Sequence, residues 1–382
     1  LRVAGVIAPE IVIEASDGGR SAAGCIVNAM KARAGLAKLF MVSVTMGLGW
    51  SLTAAGCGST NGEMVSGGAG DSGTGLAGTN GAAGTGSNGA AGTGQAGPPA
   101  NLGDCDIFPA NDDWNTSVAS LPADATWTQR LNTLVGATRK VHPDFGDGYG
   151  IPINVVPASQ AAVPIVFNQY DDESDPGPYP FPGPNAIQIE GGTAANCSGD
   201  CHVLVVQTGT CMLYEGYACK YANGWQCGNG AKWDLKKVAY GQRPDGWTSA
   251  DAAGLPIMPG ILRYAEAAAG PVRHAVRFTL SATKDAYVKP ATHEAGNSSS
   301  PNRPPMGLRV RMKAGYSIPN AMPIVQNILS GLKNYGMILA DNGSDFYFQG
   351  DPNPGWNDDI LDQIKSIPAS AFEVVAPSPL PP

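Results

Sequence analysis

The globular part of this sequence carries no Gly-x-Ser-x-Gly elbow, no Walker loop, no His-Glu-x-x-His helix and no dinucleotide-binding fingerprint. Each of those motifs places a nucleophile, a metal or a phosphate, so their absence sets aside serine-hydrolase, nucleotide-dependent and zincin chemistry. Basic residues are in deficit. Five basic and three acidic residues precede Cys57, which leaves 19 basic against 29 acidic and a formal net charge of −10. That sign argues against nucleic acid, and against an anionic membrane face, as the main partner. Paired C-x2-C knuckles are missing too. The five cysteines from Cys197 to Cys227 have three to nine residues between neighbours, which makes a zinc site the lesser reading of them. The apolar run Leu39 to Leu52 is about 14 residues, short of the roughly 20 that span a bilayer.

What surrounds that run has the order expected of a targeting signal. Met30-Lys31-Ala32-Arg33 and Lys38 form a positive segment, and Leu52-Thr53-Ala54-Ala55-Gly56-Cys57 closes the apolar run with small residues. The order resembles the signal peptide and lipobox of bacterial lipoproteins, here over residues 30–56. The resemblance implies that Cys57 is lipidated and that the protein meets a bacterial membrane through this anchor; an uncleaved single-span anchor is the alternative. Two acyl chains are about what stable attachment needs, at roughly 0.8 kcal/mol per buried methylene. Gly58 rather than Asp follows the cysteine, which favours an outer membrane or cell surface. Residues 1–29 lie upstream of the signal and begin with Leu, and are expected to be a mis-assigned start.

From Gly58 to Gly103 the chain is almost wholly Gly, Ala, Ser, Thr and Asn, with the heptapeptide starting at Asn80 repeated from Asn88. Such a stretch has little to bury and much backbone entropy to lose, so it is expected to be a disordered tether with a reach of roughly 35–40 Å. Asp104 to Val375 then reads as a single domain, and 376–382 as a Pro-rich tail. Six cysteines follow the tether, an even number suited to disulfides in an exported protein. Local spacing pairs Cys197 with Cys201 and Cys219 with Cys227, which leaves Cys105 for Cys211.

Strand signals dominate this domain. Ile153 to Val156, Val163 to Phe167, Val203 to Val206, Met212 to Tyr214, Val276 to Leu280 and Leu308 to Arg311 are short β-prone runs between turn residues. Asp341-Asn342-Gly343-Ser344 between two apolar runs predicts a hairpin, since Asn-Gly tolerates positive φ. Helices are predicted over Thr126 to Val135, Pro319 to Tyr335 and Asp358 to Ile364, the last capped by Asn357. The expected fold is mainly β, a single-domain sandwich or barrel-like core with three peripheral helices.

Chemistry is expected on one hairpin. If Val203 to Val206 and Cys211 to Tyr214 pair about Thr208-Gly209, opposed residues have numbers summing to 417. His202 then faces Glu215, and Asp200 points to the same side. Asp200, His202 and Glu215 are therefore the candidate catalytic residues: an imidazole tuned by carboxylates for acid–base work, or a plain surface ion pair. A one-residue change in the turn would move Glu215 to the other face. Trp225, Trp233 and Trp247 fall close together among Gly, Asn and Asp, as in a carbohydrate groove where indoles cover sugar faces. Glu190 and Asp234 join them as substrate-binding candidates. A metal reading would recruit His202, His274 and His293.

Phe108-Pro-Ala-Asn-Asp-Asp-Trp-Asn115, His142-Pro-Asp-Phe-Gly146, the stretch Asp172 to Tyr179, the stretch Gly246 to Pro256 and the stretch Tyr335 to Gly343 together resemble a largely uncharacterised family of exported bacterial proteins. The resemblance covers about 104–375 and implies an intact extracytoplasmic module, with no catalytic assignment. The expected function is a surface-tethered carbohydrate-active enzyme that hydrolyses glycosidic bonds of extracellular polysaccharide, with no cofactor required. A non-catalytic glycan-binding or adhesion lipoprotein is the alternative, and a metal-dependent hydrolase or oxidase the third.

Overall fold

Alternating and continuous apolar runs here build two main sheets. The computed structural model describes residues 101–296, 298–376 and 379–380; the signal, Cys57 and nearly all of the tether lie outside the described residues. A seven-stranded sheet runs, edge to edge, through Ala123–Asp124, Phe372–Val375, Arg309–Met312, Met337–Asn342, Val276–Leu280, Tyr347–Gln349 and His142–Asp144. A four-stranded sheet runs through Asn229–Asp234, Met212–Tyr217, Val203–Gln207 and Ile153–Val156. Smaller ribbons complete a mainly β, sandwich-like architecture with no closed barrel.

The central strand Val203–Gln207 is buried along its whole length because both faces are covered. Leu204 and Val206, with Leu213 and Trp233 beside them, join the main core, which also takes Val276, Phe278, Val310 and Ile338 from the larger sheet. Val203 and Val205 point the other way, into a second core with Tyr179, Phe181, Trp225 and Cys227. A strand buried on two faces reads as an unbroken apolar run rather than an alternating one.

Among the described residues four α-helices flank the sheets. Helix α1 (Ala125–Val135) opens on Asp124, whose carboxylate accepts the Trp127 N–H at 2.9 Å. Helix α2 (Tyr264–Ala269) has no counterpart among the predicted helices; it is six residues long, too short for a periodic signal. Helix α3 (Pro323–Asn334) starts at Pro323, four residues beyond the predicted Pro319, and lays Ile324, Val325, Ile328 and Leu332 on the core. Helix α4 (Asp358–Lys365) is capped by Asn357, which accepts the Ile360 N–H at 3.1 Å.

The predicted hairpin at Asn342-Gly343 does not form. Met337–Asn342 pairs parallel with Val276–Leu280, and Tyr347–Gln349 pairs antiparallel with that same strand from its other side. The connection arches over the end of the intervening strand, with Gly343 donating to the Leu280 carbonyl and Phe346 to that of Thr279, each at 3.0 Å. A fully buried central strand outcompeted a local turn.

Residues 248–263 run almost wholly buried and bridge the two sheets, with a single 3-10 turn at Met258–Gly260 as their one regular element. Ala253 donates to Ala340 at 2.9 Å and Leu262 to Gln349 at 3.1 Å on the larger sheet, while His202 and Glu215 reach this segment from the smaller one. Buried backbone outside a ladder still needs partners, so polar side chains must follow it inside. Three disulfides, Cys105–Cys211, Cys197–Cys201 and Cys219–Cys227, pair as expected and are compatible with an extracytoplasmic location. No described helix is long and apolar enough to cross a membrane.

Candidate functional site

Four neighbouring strands of the seven-stranded sheet line one concavity of about 250 Å³. Asp341, Arg277, Gln349 and Asp144 come from those strands, one from each; Tyr347 and Thr279 stand beside them. Facing them are Glu190, Asp200 and His202, at and before the start of Val203–Gln207.

Two local features aim the side chains. The pairing of Val276–Leu280 with Met337–Asn342 slips at Phe278/Thr279, so that Thr279 stands opposite Asp341 rather than Ala340. This bulge turns Asp341 to the face that carries Arg277, whose Nη2 lies 3.5 Å away. In the parallel pair at the sheet edge, Gln349 stands beside Asp144 and hydrogen-bonds its carboxylate. The Gln349 Oε1 has no donor among the described residues although the side chain is buried. Tyr347 stacks on His142 with centroids 4.1 Å apart.

The cations of the pocket are already engaged. Arg277 is held bidentate by the buried Asp251, Nε to Oδ2 at 3.0 Å and Nη2 to Oδ1 at 2.6 Å, which keeps its guanidinium charged. His202 sets Nδ1 against Glu190 Oε2 at 2.6 Å and Nε2 against the Ala250 carbonyl at 3.1 Å. Both ring nitrogens face acceptors, as an imidazolium requires. Burial opposes that charge, but the Glu190 carboxylate outweighs it and His202 is raised to about 9. Glu190 is correspondingly held below its ordinary value: burial pushes it up and the imidazolium more than compensates.

The acids behave differently from one another. Burial raises Asp341 to about 7, with Asp251 adding to the effect and Arg277 resisting it. Asp144 is also raised by burial, against its bond from Gln349. Asp200 is exposed at the pocket rim. Neighbouring carboxyl groups with separated proton affinities are what acid–base chemistry draws on.

No protein-family model, curated protein or solved structure matches this chain. Its chemistry rests on geometry.

The structure brings together two of the three predicted catalytic residues and removes the third. The 203–207/212–217 ladder runs with numbers summing to 419, not 417, because the turn is wider by two residues. The even slip keeps Glu215 on the face of His202, yet Glu215 has no exposed surface. Its carboxylate accepts N–H bonds from Ile257 at 2.9 Å, Met258 at 2.9 Å and the Trp233 indole at 3.0 Å. It is a backbone partner for the bridging segment, not a solvent-facing acid. His202, locked as an imidazolium, is no general base near neutral pH.

The indole rim is likewise absent. Trp225 and Trp233 are buried in the two cores, and Trp247 is half-buried with the Arg243 guanidinium 5.6 Å from its ring centre. Asp234 lies away from the pocket, paired with Lys237 at 2.9 Å. Glu190 does line the pocket. The three metal-candidate histidines are separate: His274 bonds Glu266 at 3.1 Å, and His293 meets the Ala252 carbonyl at 2.8 Å. Among the described residues, the one acid, His and Cys group with ligand atoms within 4.8 Å is Asp104, Cys105 and Cys211, and its two sulfurs form a disulfide.

Sequence reasoning missed Asp144, Asp341, Arg277 and Gln349. One signal was readable: Arg277 stands inside the β run Val276 to Leu280, and a charge in a buried strand demands a partner.

Proposed function

We propose that this protein is a surface-tethered carbohydrate-active enzyme that cleaves glycosidic bonds of extracellular polysaccharide in the acidic pocket. The observation that carries the reading is the assembly, in one concavity, of a partly buried acid, Asp341, and an exposed one, Asp200, with Tyr347 also in its lining. Glycoside hydrolysis needs two carboxyl groups in different protonation states. Asp341, raised to about 7, gives a proton to the departing glycosidic oxygen; Asp200 takes one from the attacking water. The charged His202–Glu190 pair positions the pocket wall. Lipidation at Cys57 would hold the domain at the outer membrane or cell surface, and Cys57→Ser should abolish acyl labelling.

Release of reducing ends from a glycan panel tests the reaction. Wild type should release them, and Asp341→Asn should lower the rate by about 10²-fold or more. Wild type that binds glycan and releases nothing ends the hydrolytic reading. A second reading, glycan binding without cleavage, is favoured by Arg277 lying 3.5 Å from Asp341, since a guanidinium opposes the protonated acid.

A further inference from the structure

Charge in the pocket is unbalanced in a way that selects among glycans. Four carboxyl groups line it: Asp144, Glu190, Asp200 and Asp341. Both cations there are already paired, His202 with Glu190 of the pocket itself and Arg277 with Asp251 behind it. Among the described residues Asp144 and Asp200 have no cationic side chain within ion-pair distance, and Asp341 shares the far edge of an already paired guanidinium. An anionic sugar would meet repulsion here.

A second observation points the same way. Gln349 spends its amide N–H on Asp144, which leaves Oε1 as a buried acceptor with no donor among the described residues. Rotating the amide would set oxygen against the Asp144 carboxylate, so the orientation holds. An orphaned buried acceptor is unfavourable until something donates to it. The pocket thus presents acceptors and asks for a donor-rich, positively charged guest.

The size and shape narrow that guest. About 250 Å³ falls below the roughly 300–1,000 Å³ of pockets for drug-sized ligands and suits one sugar ring. The acids surround this space rather than converging: no three of them meet the 4.8 Å ligand-atom spacing found at Asp104, Cys105 and Cys211. A bare divalent ion wants convergent oxygens; an ammonium on a hydroxylated ring spreads its donors as these acceptors are spread. Tyr347, stacked on His142, lines the same space.

We infer that the pocket selects a cationic amino sugar, a pyranose with a free ammonium group, over its N-acylated, neutral and uronic-acid counterparts. The inference rests on the carbohydrate reading of this site and names the substrate class within it.

Calorimetric titration of the full-length protein at pH 7.5 and low salt tests it, with three probes: a glucosamine tetramer, an N-acetylglucosamine tetramer and a galacturonic acid tetramer. The glucosamine tetramer should bind about tenfold tighter than the acetylated one, a difference of about 1.4 kcal/mol, and the uronate weakest. High salt should narrow the gap. Asp341→Asn and Asp200→Asn should each bring the first two probes towards parity. Asp200 is exposed, so its variant keeps the fold and the test alive. Equal binding of the acetylated and free-amine tetramers overturns the inference and leaves the carbohydrate reading standing. Calcium or tetralysine displacing the glucosamine tetramer at similar concentration also overturns it, since the pocket would then hold any cation. Absence of binding by every oligosaccharide overturns both.

Discussion

Replacing Glu215 with Gln should change the stability ranking of variant and wild type between pH 5 and pH 8. The Glu215 carboxyl is fully buried; desolvation raises it from 4.5 to about 7, against the bonds from Met258, Ile257 and Trp233. A folded pKa above the unfolded one means that the folded state holds the proton more tightly. The linked stabilisation is fully present below about 4.5 and is lost as pH rises through about 7. At roughly 1.36 kcal/mol per pKa unit, that interval amounts to ~3 kcal/mol. Gln does not titrate, but its amide NH2 confronts the Trp233 N–H and orphans it, at about 1–3 kcal/mol. At pH 5 the variant should therefore be weaker by about 1–3 kcal/mol. At pH 8 wild type has lost its ~3 kcal/mol, and the variant should equal or exceed it. Asp341 and Asp112 titrate in the same range but are common to both proteins and cancel in the difference. Guanidinium unfolding with the disulfides intact, followed by tryptophan fluorescence across this range, measures the difference directly. A variant weaker by the same amount at pH 5 and pH 8 would refute the reasoning, because the carboxylate would then be ionised throughout.

Other perturbations follow from the same geometry. His202 is raised to about 9, so its linked stability is complete below 6.5 and lost as pH rises through about 9; Glu190→Gln should abolish that decline in a plot of thermal midpoint against pH. Removing Cys105–Cys211, 106 residues apart, should cost about 5 kcal/mol on chain-entropy grounds, against about 2 for Cys197–Cys201, 4 apart; equal losses in denaturant titrations would discount loop length as the cause. Gly216 sits where an added Cβ would come within 2.4 Å of the Cys219 sulfur, so Gly216→Ala should destabilise by about 1–3 kcal/mol; an unchanged unfolding midpoint would show that the disulfide shifts freely.

Strand alternation carried much of what sequence reading could reach. It placed His202 and Glu215 on one sheet face, and that survived a two-residue error in the turn because an even slip preserves the face. An odd slip would have failed. Helix starts were legible at Asn357 because capping is local chemistry. The Asn342-Gly343 turn failed for the opposite reason: turn propensity is local, while the choice of partner for Met337–Asn342 depended on burying Val276–Leu280 between two neighbours.

What the amino-acid order determined by itself is the set of short-range outcomes: strand runs, caps and the loop-closing cysteine pairs. The short loops of Cys197–Cys201 and Cys219–Cys227 left Cys105 and Cys211 for each other. Tertiary structure alone decided which acids meet solvent. Residues 248–263 pass buried between the sheets and need partners for their backbone, so Glu215 was drawn inside to serve them. Asp144, Arg277, Asp341 and Gln349, spread over some two hundred residues of chain, became neighbours because four strands lie side by side and one of them bulges. Burial and strand order are long-range quantities, set by how the whole chain excludes water, and no local pattern encodes them.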